Sequence, residues 1–111
     1  MNIFIGVDGG GTKTEAAAID PSGNVLSRYT GSSTNPYVVG FDQAMAELAR
    51  VLDCLLAPLP GKELTFCGAC LGLAGISSEQ EIHKAISSLQ AYQHERGILF
   101  PASIILKPSW L

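Results

Sequence analysis

The amino-acid sequence predicts an α/β fold in which helices cover a β-sheet. Three segments carry this prediction: an apolar run at the amino terminus, NIFIGVD, a second buried run, LTFCGACLGLAG, and between them a stretch whose apolar residues recur at helical spacing. Strands and helices in this order favour a layered sheet over a helix bundle or a β-sandwich. The 111 residues suffice for about one small domain.

The first elements are predicted to be three antiparallel strands. Apolar and β-branched residues over positions 2–8 are typical of a strand that is covered on both faces. The segment TEAAAIDPSGNVLSRYTG then indicates two more strands around a turn at residues 21–24. GSSTNPYVVG is rich in Gly, Ser, Asn and Pro, so we expect it to be a loop.

A helix and a buried strand follow the loop. Apolar residues at steps of three and four predict a helix over Phe41–Leu56, which the sequence APLPG ends. LTFCGACLGLAG comes next, and its apolar residues followed by glycines predict a buried strand.

A second helix and a last strand complete the predicted order. Ser78 followed three residues later by Glu81 is a capping-box signature, and the helix is expected to run to about Gln93. The final segment, ILFPASIILKPSWL, is apolar enough for a strand, which Pro101 and Pro108 are expected to break.

Composition excludes several classes of partner. The 7 basic and 10 acidic residues give a net charge of -3 without a basic stripe, so no nucleic-acid partner is expected. The sequence has neither a signal-peptide pattern nor the roughly 20 apolar residues of a membrane span. The odd number of cysteines, 3, fits a reducing compartment better than a disulfide framework. We therefore expect a soluble cytoplasmic protein with no membrane partner.

The stretch GVDGGGTKTE, directly behind the first predicted strand, indicates a phosphate site. A tight turn there would expose consecutive backbone N–H groups, and such concavities bind anions. Thr12 adds a hydroxyl donor and Lys13 adds positive charge. The tip is predicted to consist of three consecutive glycines: Gly9, Gly10 and Gly11.

Asp8 ends the same strand and is the predicted metal ligand, because Mg²⁺ commonly binds one or two carboxylates together with substrate phosphates. Two other phosphate motifs do not fit. A P-loop needs Gly-Lys-Ser/Thr after four intervening residues, and a dinucleotide fingerprint needs spaced glycines that open a helix. A plain hairpin turn remains the alternative, because Asp-Gly is also a common hairpin signal.

The stretches GVDGGGTKTEAAAID with GNVL, SSTNPYVVGFDQAM and LGLAGISS resemble the amino-terminal part of the BadF/BadG/BcrA/BcrD ATPase family, and within it the N-acetylglucosamine kinase branch. The resemblance runs over residues 3 to about 99. It implies the ribonuclease H-like, actin-like ATPase fold of two such domains with nucleotide between them. It also implies ATP and Mg²⁺ as cofactors and an amino sugar as substrate.

The same resemblance assigns roles to individual residues. It implies that Thr12 lies at the ATP phosphates, that Asp8 lies near magnesium, and that Asn35 contacts the amino sugar. Asn35 also has a structural interpretation, since Asn before Pro is a common turn starter. Gly72 and Gly75 allow close approach either of a ligand or of a neighbouring part of the chain, and both alternatives stay open.

Cysteine and histidine residues are not expected to form a metal or redox site. Cys67 and Cys70 form a C-x-x-C pattern on a predicted strand, where no helix begins that would lower a thiol pKa, so core packing is the expected role. His83 and His94 match no zinc signature and are expected to be solvated surface residues.

In one respect the sequence departs from the family pattern. The resemblance implies an aspartate base after the strand that follows the second helix, and a second domain with another phosphate loop. The sequence has no aspartate after Asp53, so no catalytic residue is assigned. We expect residues 1–100 to be the amino-terminal half of an actin-like ATPase or sugar kinase domain, and 101–111 to be a divergent tail of a truncated or frame-shifted product or of a deliberate fragment.

Three hypotheses about function follow. The first is ATP-dependent phosphorylation of N-acetylglucosamine or a related amino sugar, carried out only by a complete protein with a second domain or partner. The second is a non-catalytic remnant or phosphate-binding module. The third is an ATPase activator of a CoA-ester dehydratase or reductase, which requires cluster-ligating cysteines, whereas the cysteines here lie in a predicted helix and a predicted strand.

Overall fold

The computed structural model describes residues 1–59, 64–98 and 102–107, and these form one mixed sheet with helices. The order along the chain is three strands, two helices, a strand, a helix and a strand. The elements are β1 (Asn2–Gly9), β2 (Lys13–Ile19), β3 (Val25–Ser32), α1 (Pro36–Val39), α2 (Phe41–Leu56), β4 (Thr65–Ala74), α3 (Glu79–Arg96) and β5 (Ala102–Lys107). The predicted α/β class and the predicted boundaries of α2 are confirmed.

The sheet has the strand order β3-β2-β1-β4-β5. β1 pairs antiparallel with β2, and β2 pairs antiparallel with β3. β4 lies parallel to β1, and β5 lies parallel to β4. The carboxyl ends of β1 and β4 therefore meet at one edge of the sheet.

The predicted turn between β2 and β3 is present and is organised by Asp20. Its Oδ1 atom accepts the backbone N–H groups of Ser22 and Asn24, each at 2.9 Å. Gly23 takes a positive φ of 86° in this turn, a conformation that glycine adopts without steric cost. These bonds fix the register of the hairpin.

The core lies between the sheet and the two long helices. Side chains along β1 alternate strictly between buried and exposed. The buried side chains of β1 pack in the same core as the apolar side chains of α2 and α3. The expectation that β1 is covered on both faces is therefore wrong for the described residues. The buried apolar side chains from these three elements are Ile3, Ile5, Val7, Ala44, Met45, Leu48, Val51, Leu52, Leu55, Ala85, Leu89 and Tyr92.

The predicted loop between β3 and α2 is partly regular. β3 continues to Ser32, and Pro36–Val39 forms one helical turn, α1. Pro36 is well placed at the start of this turn because its missing N–H needs no acceptor there. Asn35 has extended backbone angles, φ -86° and ψ 115°, and caps the turn. Residues 33–35 remain irregular, as predicted.

The last two elements also differ in detail from prediction. Ser78 and Glu81 form the predicted capping box, but α3 continues beyond Gln93 to Arg96, where Gly97 ends it in the left-handed conformation. β5 covers Ala102–Lys107, the residues between Pro101 and Pro108, and pairs with β4. Pro101 and Pro108, which were expected to break it, lie outside the described residues.

None of the helices in the described ranges has the length and apolar character needed to cross a membrane.

Candidate functional site

The predicted site residues gather at the carboxyl ends of β1 and β4. Asp8 and Gly9 of β1 lie opposite Gly72 and Leu73 of β4 in the parallel register. The β1–β2 turn, residues 10–12, and the segment of residues 33–35 approach the same edge through hydrogen bonds. Open α/β sheets typically bind their ligands at this edge.

The glycine-rich stretch forms a hairpin turn, but its glycines differ in role. Gly9 still belongs to β1 and lies opposite Thr14, so it is not at the tip as predicted. The N–H of Gly10 donates to the carbonyl oxygen of Lys13 at 2.9 Å and is used within the turn. Among the described residues, the N–H groups of Gly11 and Thr12 have no protein acceptor. These two groups are the ones available to an anion.

A buried polar network ties this turn to residues 33–35. The fully buried Thr14 donates its hydroxyl to the carbonyl oxygen of Ser32 at 2.8 Å. The hydroxyl oxygen of Thr14 also lies 3.0 Å from that of Thr34, so the two hydroxyls share a hydrogen bond. Ser33 donates its hydroxyl to the carbonyl oxygen of Gly10 at 3.2 Å. The β1–β2 turn and residues 33–35 are therefore one connected unit.

Sequence reasoning missed Thr14, Ser33 and Thr34. A signal existed for Thr14, because it continues the alternation of Ala16 and Ala18, which face the core. For Ser33 and Thr34 the sequence gives no comparable signal, because their partners lie far away along the chain.

Asn35 is buried and starts the turn α1, which is the structural role that Asn before Pro indicated as the alternative to sugar contact. Its Oδ1 atom accepts the backbone N–H of Tyr37 at 2.9 Å, and its own backbone N–H donates to the Ser33 hydroxyl at 3.1 Å. Capping uses Oδ1, so the Nδ2 group is the part of this side chain that can donate to a ligand. Contact with a sugar stays a prediction.

Asp8 lies on the face of the sheet away from the helices, which we call the open face. Its cross-strand neighbour there is Glu15, and both residues line a cavity of about 510 Å³ together with Arg28 and Cys70. The described residues contain no group of three or more His, Cys, Asp or Glu side chains that could hold a metal. Mg²⁺ commonly binds one or two carboxylates and completes its shell with phosphate oxygens and water, and Asp8 and Glu15 are two neighbouring carboxylates.

Lys13 lies next to these carboxylates at the start of β2. Its Nζ atom is 2.8 Å from Oε1 of Glu15, and both side chains are exposed. The hydrogen bond to Glu15 raises the pKa of Lys13, and the charges of Glu15 and Asp8 act in the same direction. Lys13 is thus a cation beside the turn. A carboxylate that can bind Mg²⁺, together with N–H groups and an ammonium group that can bind phosphate oxygens, fits a magnesium polyphosphate.

The cysteines are only partly placed as expected. Cys67 is half-buried, but Cys70 is exposed on the open face, so core packing is wrong for Cys70. The reason is strand alternation: Ala69 and Leu71 take the core face on either side of it. His83 and His94 are exposed, as predicted.

Comparison with known proteins gives a consistent result. The model of the BadF/BadG/BcrA/BcrD ATPase family matches residues 5–104. An N-acetyl-D-glucosamine kinase of Dictyostelium discoideum is 36% identical over 86 residues, which cover 71% of this chain and 27% of that protein.

Two solved structures share the fold. One, from Chromobacterium violaceum and assigned as an N-acetylglucosamine kinase, superposes with a TM-score of 0.69 at 24% identity over 94% of this chain and 34% of that chain. The other, a Ppx/GppA phosphatase of Aquifex aeolicus, has a TM-score of 0.54 at 12% identity, over 94% of this chain and 36% of its own. The expected ribonuclease H-like, actin-like ATPase fold is confirmed, and the chain spans about a third of these relatives' length.

Proposed function

Because the chain belongs to the BadF/BadG/BcrA/BcrD ATPase family, we propose that it forms part of the ATP and sugar site of a kinase for N-acetylglucosamine or a related amino sugar. Similarity to an N-acetyl-D-glucosamine kinase supports a sugar-kinase-like function. The individual substrate and the roles of single residues are our proposal.

The observation that carries the proposal is the connection between the turn and residues 33–35. The Ser33–Gly10 hydrogen bond and the Thr14–Thr34 contact hold a candidate phosphate site beside Asn35. Phosphoryl transfer depends mainly on positioning the donor phosphate against the acceptor hydroxyl and on neutralising charge. A unit that fixes both sites relative to each other meets the first of these needs.

Each residue then has a defined task. The N–H groups of Gly11 and Thr12 would bind phosphate oxygens, the Thr12 hydroxyl would add a donor, and Lys13 would add charge. Mg²⁺, when bound, would neutralise phosphate charge, and Asp8 is the residue that would hold it. Asn35 would donate from Nδ2 to the sugar.

General-base chemistry is not assigned to any residue of this chain. The sequence contains no aspartate after Asp53, and the chain covers 27% of the Dictyostelium kinase. We therefore propose that residues 1–100 act as the amino-terminal part of a longer site and that the 111-residue chain is inactive alone. A second domain or partner would complete the site. The predicted divergent tail, 101–111, contains β5, which pairs with β4.

A non-catalytic phosphate-binding module is the second candidate. It is favoured by the N–H groups of Gly11 and Thr12, which lack protein acceptors in the part of the chain that the structure describes. Binding of phosphate through these groups would need no further domain.

The proposal is tested by titrating the ¹⁵N-labelled chain with magnesium ATP and, separately, with N-acetylglucosamine. ATP is expected to shift the amide signals of Gly11 and Thr12, and the sugar is expected to shift the side-chain amide of Asn35. Shifts by ATP alone would favour the phosphate-binding module. Shifts confined to other surfaces, or none with either ligand, would contradict both functions for this chain.

A further inference from the structure

Two glycines at the ends of neighbouring parallel strands lie directly against the segment that carries Asn35. A Cβ atom added to Gly9, the last residue of β1, would overlap the hydroxyl oxygen of Thr34. A Cβ atom added to Gly75, which follows β4, would overlap Oδ1 of Asn35 and lie 2.8 Å from its Cγ. Real Cβ atoms do not approach other atoms so closely, so each glycine makes room for one of these side chains.

Neither side chain can move away from its glycine without cost. Thr34 is fully buried and shares a hydrogen bond with Thr14. Asn35 is 7% exposed, and its Oδ1 atom is fixed by the backbone N–H of Tyr37. Displacing either residue would break a hydrogen bond and leave a buried polar group unpaired.

We propose that Gly9 and Gly75 are positioning residues that form a seat for Thr34 and Asn35 and so fix the direction of the Asn35 Nδ2 group toward the acceptor sugar. The inference rests on the proposed function, in which Asn35 contacts that sugar. It separates Gly9 from Gly11, because Gly9 acts through Thr34 and not as a phosphate ligand. Gly75 was expected to allow close approach either of a ligand or of a neighbouring part of the chain. The inference favours the second, because Gly75 lies against Asn35.

The two glycines can fix the direction of Nδ2 because the side-chain amide of Asn35 is planar. Once Oδ1 is held by Tyr37, the position of Nδ2 is determined as well. A shift of the side chain would misalign the hydrogen bond to the sugar, and loss of one such bond weakens binding about tenfold. The structure thus predicts that a methyl group outside the sugar site reduces sugar affinity.

Gly75 can be tested against a matched glycine. Gly75 has a φ of +85° and Gly23 has a φ of +86°, but a Cβ on Gly23 would meet nothing within 4 Å. Gly75→Ala and Gly23→Ala therefore carry the same backbone strain, and only Gly75→Ala adds the overlap with Asn35. The difference between the two variants measures the seat.

Gly9 allows a second comparison without backbone strain, because among the described glycines positive φ angles are confined to other positions. Gly6→Ala is the control in the same strand, since a Cβ there meets nothing within 4 Å. Gly9→Ala should be relieved by Thr34→Ala, which deletes the overlapping hydroxyl and leaves the milder approach to Cδ2 of Leu73 at 3.0 Å. Because Thr34→Ala also removes the hydrogen bond to Thr14, the reference is Thr34→Ala alone. The double variant should match it in spectrum and sugar affinity, so that the added methyl group has no further effect once the hydroxyl is gone.

The readouts are the NMR signals of the Asn35 side-chain amide and the Tyr37 backbone amide, amide hydrogen exchange at Tyr37, and N-acetylglucosamine titration. Gly75→Ala and Gly9→Ala are expected to shift the Asn35 signal, to speed exchange at Tyr37 and to weaken sugar binding about tenfold. Gly23→Ala and Gly6→Ala should leave the Asn35 signal in place.

The outcomes separate this inference from the proposed function. One outcome is that the wild-type chain binds no sugar while Gly75→Ala and Gly9→Ala still shift the Asn35 signal. In that case the two glycines do position Asn35, but the proposed function and the effect on sugar affinity are both wrong. If sugar binds wild type and both seat variants equally, the inference is overturned while the proposed function stands. If Gly9→Ala does not fold and Thr34→Ala does not restore it, the inference is likewise overturned.

Discussion

Glu47 is a buried carboxylate on α2 that joins the helix layer to the end of β3. Its Oε2 atom accepts the backbone N–H of Ser32 at 2.8 Å, and its two oxygens bind Nη2 and Nε of Arg50 at 2.6 and 2.8 Å. Arg50 in turn donates to the Tyr29 hydroxyl at 2.7 Å. The hydrogen bonds from Arg50 lower the pKa of Glu47 from its usual 4.5 to about 2, against the opposing effect of burial.

We predict that Glu47→Gln lowers the free energy of unfolding by about 1–3 kcal/mol at neutral pH, because it removes a charge-assisted pair in a buried position. The depressed pKa means that this stabilisation is present above the usual pKa and is lost as the pH falls toward the folded value. The difference between wild type and variant should therefore shrink between pH 4.5 and about 2.

Urea unfolding at several pH values measures this difference, with Glu95→Gln as the control at an exposed carboxylate. A variant with wild-type stability at neutral pH, or a difference that does not depend on acid, would contradict the assigned role of Glu47.

Asp8 is the residue on which the metal hypothesis depends. If the chain binds ATP, Asp8→Asn is expected to remove the strengthening of that binding by Mg²⁺ while leaving the fold intact, since Asp8 is exposed and the amide has the same shape. Glu15→Gln is the matched control across the strand pair. If Mg²⁺ strengthens ATP binding equally in wild type and Asp8→Asn, Asp8 is not the metal ligand. If only Glu15→Gln loses this strengthening, Glu15 is the ligand instead.

Sequence reasoning predicted candidate site residues from short local patterns and missed the contacts that form only in the fold. Asp8, the glycine turn and Asn35 are visible because each stands in a short local pattern. The Thr14–Thr34 contact joins residues 20 positions apart, and no local pattern reports it. Gly9 was placed at the tip because a run of glycines does not show where strand pairing stops.

Among the elements, α2 was the most predictable because its sequence carries both a long apolar stripe and a terminating signal. The single turn α1 has 4 residues, which is too short for any periodicity to appear. β1 was expected to be covered on both faces because a continuous apolar run does not reveal that both long helices pack on one side. Such information lies in the connections between elements, not in the strand itself.

The start of α3 provides a test of a local signal that was predicted correctly. The hydroxyl oxygen of Ser78 accepts the N–H of Glu81 at 3.1 Å, and Oε1 of Glu81 accepts the N–H of Ser78 at 3.0 Å. We predict that Ser78→Ala lowers the free energy of unfolding by about 1 kcal/mol, because a helix N–H loses its acceptor.

Ser87→Ala is the control, since Ser87 is exposed within α3 and alanine is the better helix former. It should be neutral or slightly stabilising in the same urea titration. Equal effects of the two substitutions would show that the capping box does not contribute.

Within the described residues, both long helices lie on one side of the sheet and neither covers the other side. Phe4 is 40% exposed at one end of the open face, near Gly6 and Cys70, whereas Asp8 and Glu15 lie toward the other end. Exposed apolar surface on a sheet commonly marks an interface. We therefore predict that the isolated chain self-associates at micromolar concentration through this face.

Sedimentation velocity should show oligomers or aggregates for the wild-type chain and a shift toward monomer for Phe4→Lys. Tyr37→Lys is the control, because Tyr37 is 72% exposed but lies on α1. A wild-type chain that stays monomeric over this range, or equal effects of the two substitutions, would contradict an interface on the open face.

The kinase activity can be tested both in the purified chain and in a chimera in which the chain replaces the matching segment of a longer relative. The proposed function assigns the described residues a phosphate turn, a carboxylate for Mg²⁺ and a sugar contact, but phosphoryl transfer also needs an aligned hydroxyl and a group that orients it. General-base help alone is typically worth a factor of about 10² to 10⁴. We therefore predict that the purified chain transfers no phosphate to N-acetylglucosamine.

A chimera in which residues 1–97 replace the matching segment of the Dictyostelium N-acetyl-D-glucosamine kinase should, by contrast, phosphorylate the sugar, because the segment would supply the turn, Asp8 and Asn35 to a complete site. Asp8→Asn in the chimera should lower kcat/KM by about 10- to 100-fold through weaker metal binding, and Glu95→Gln should not. Transfer of labelled phosphate by the short chain alone, abolished by Asp8→Asn, would show that it already holds a working site. A folded but inactive chimera would instead favour the phosphate-binding module, since the missing groups would then be present without restoring the reaction.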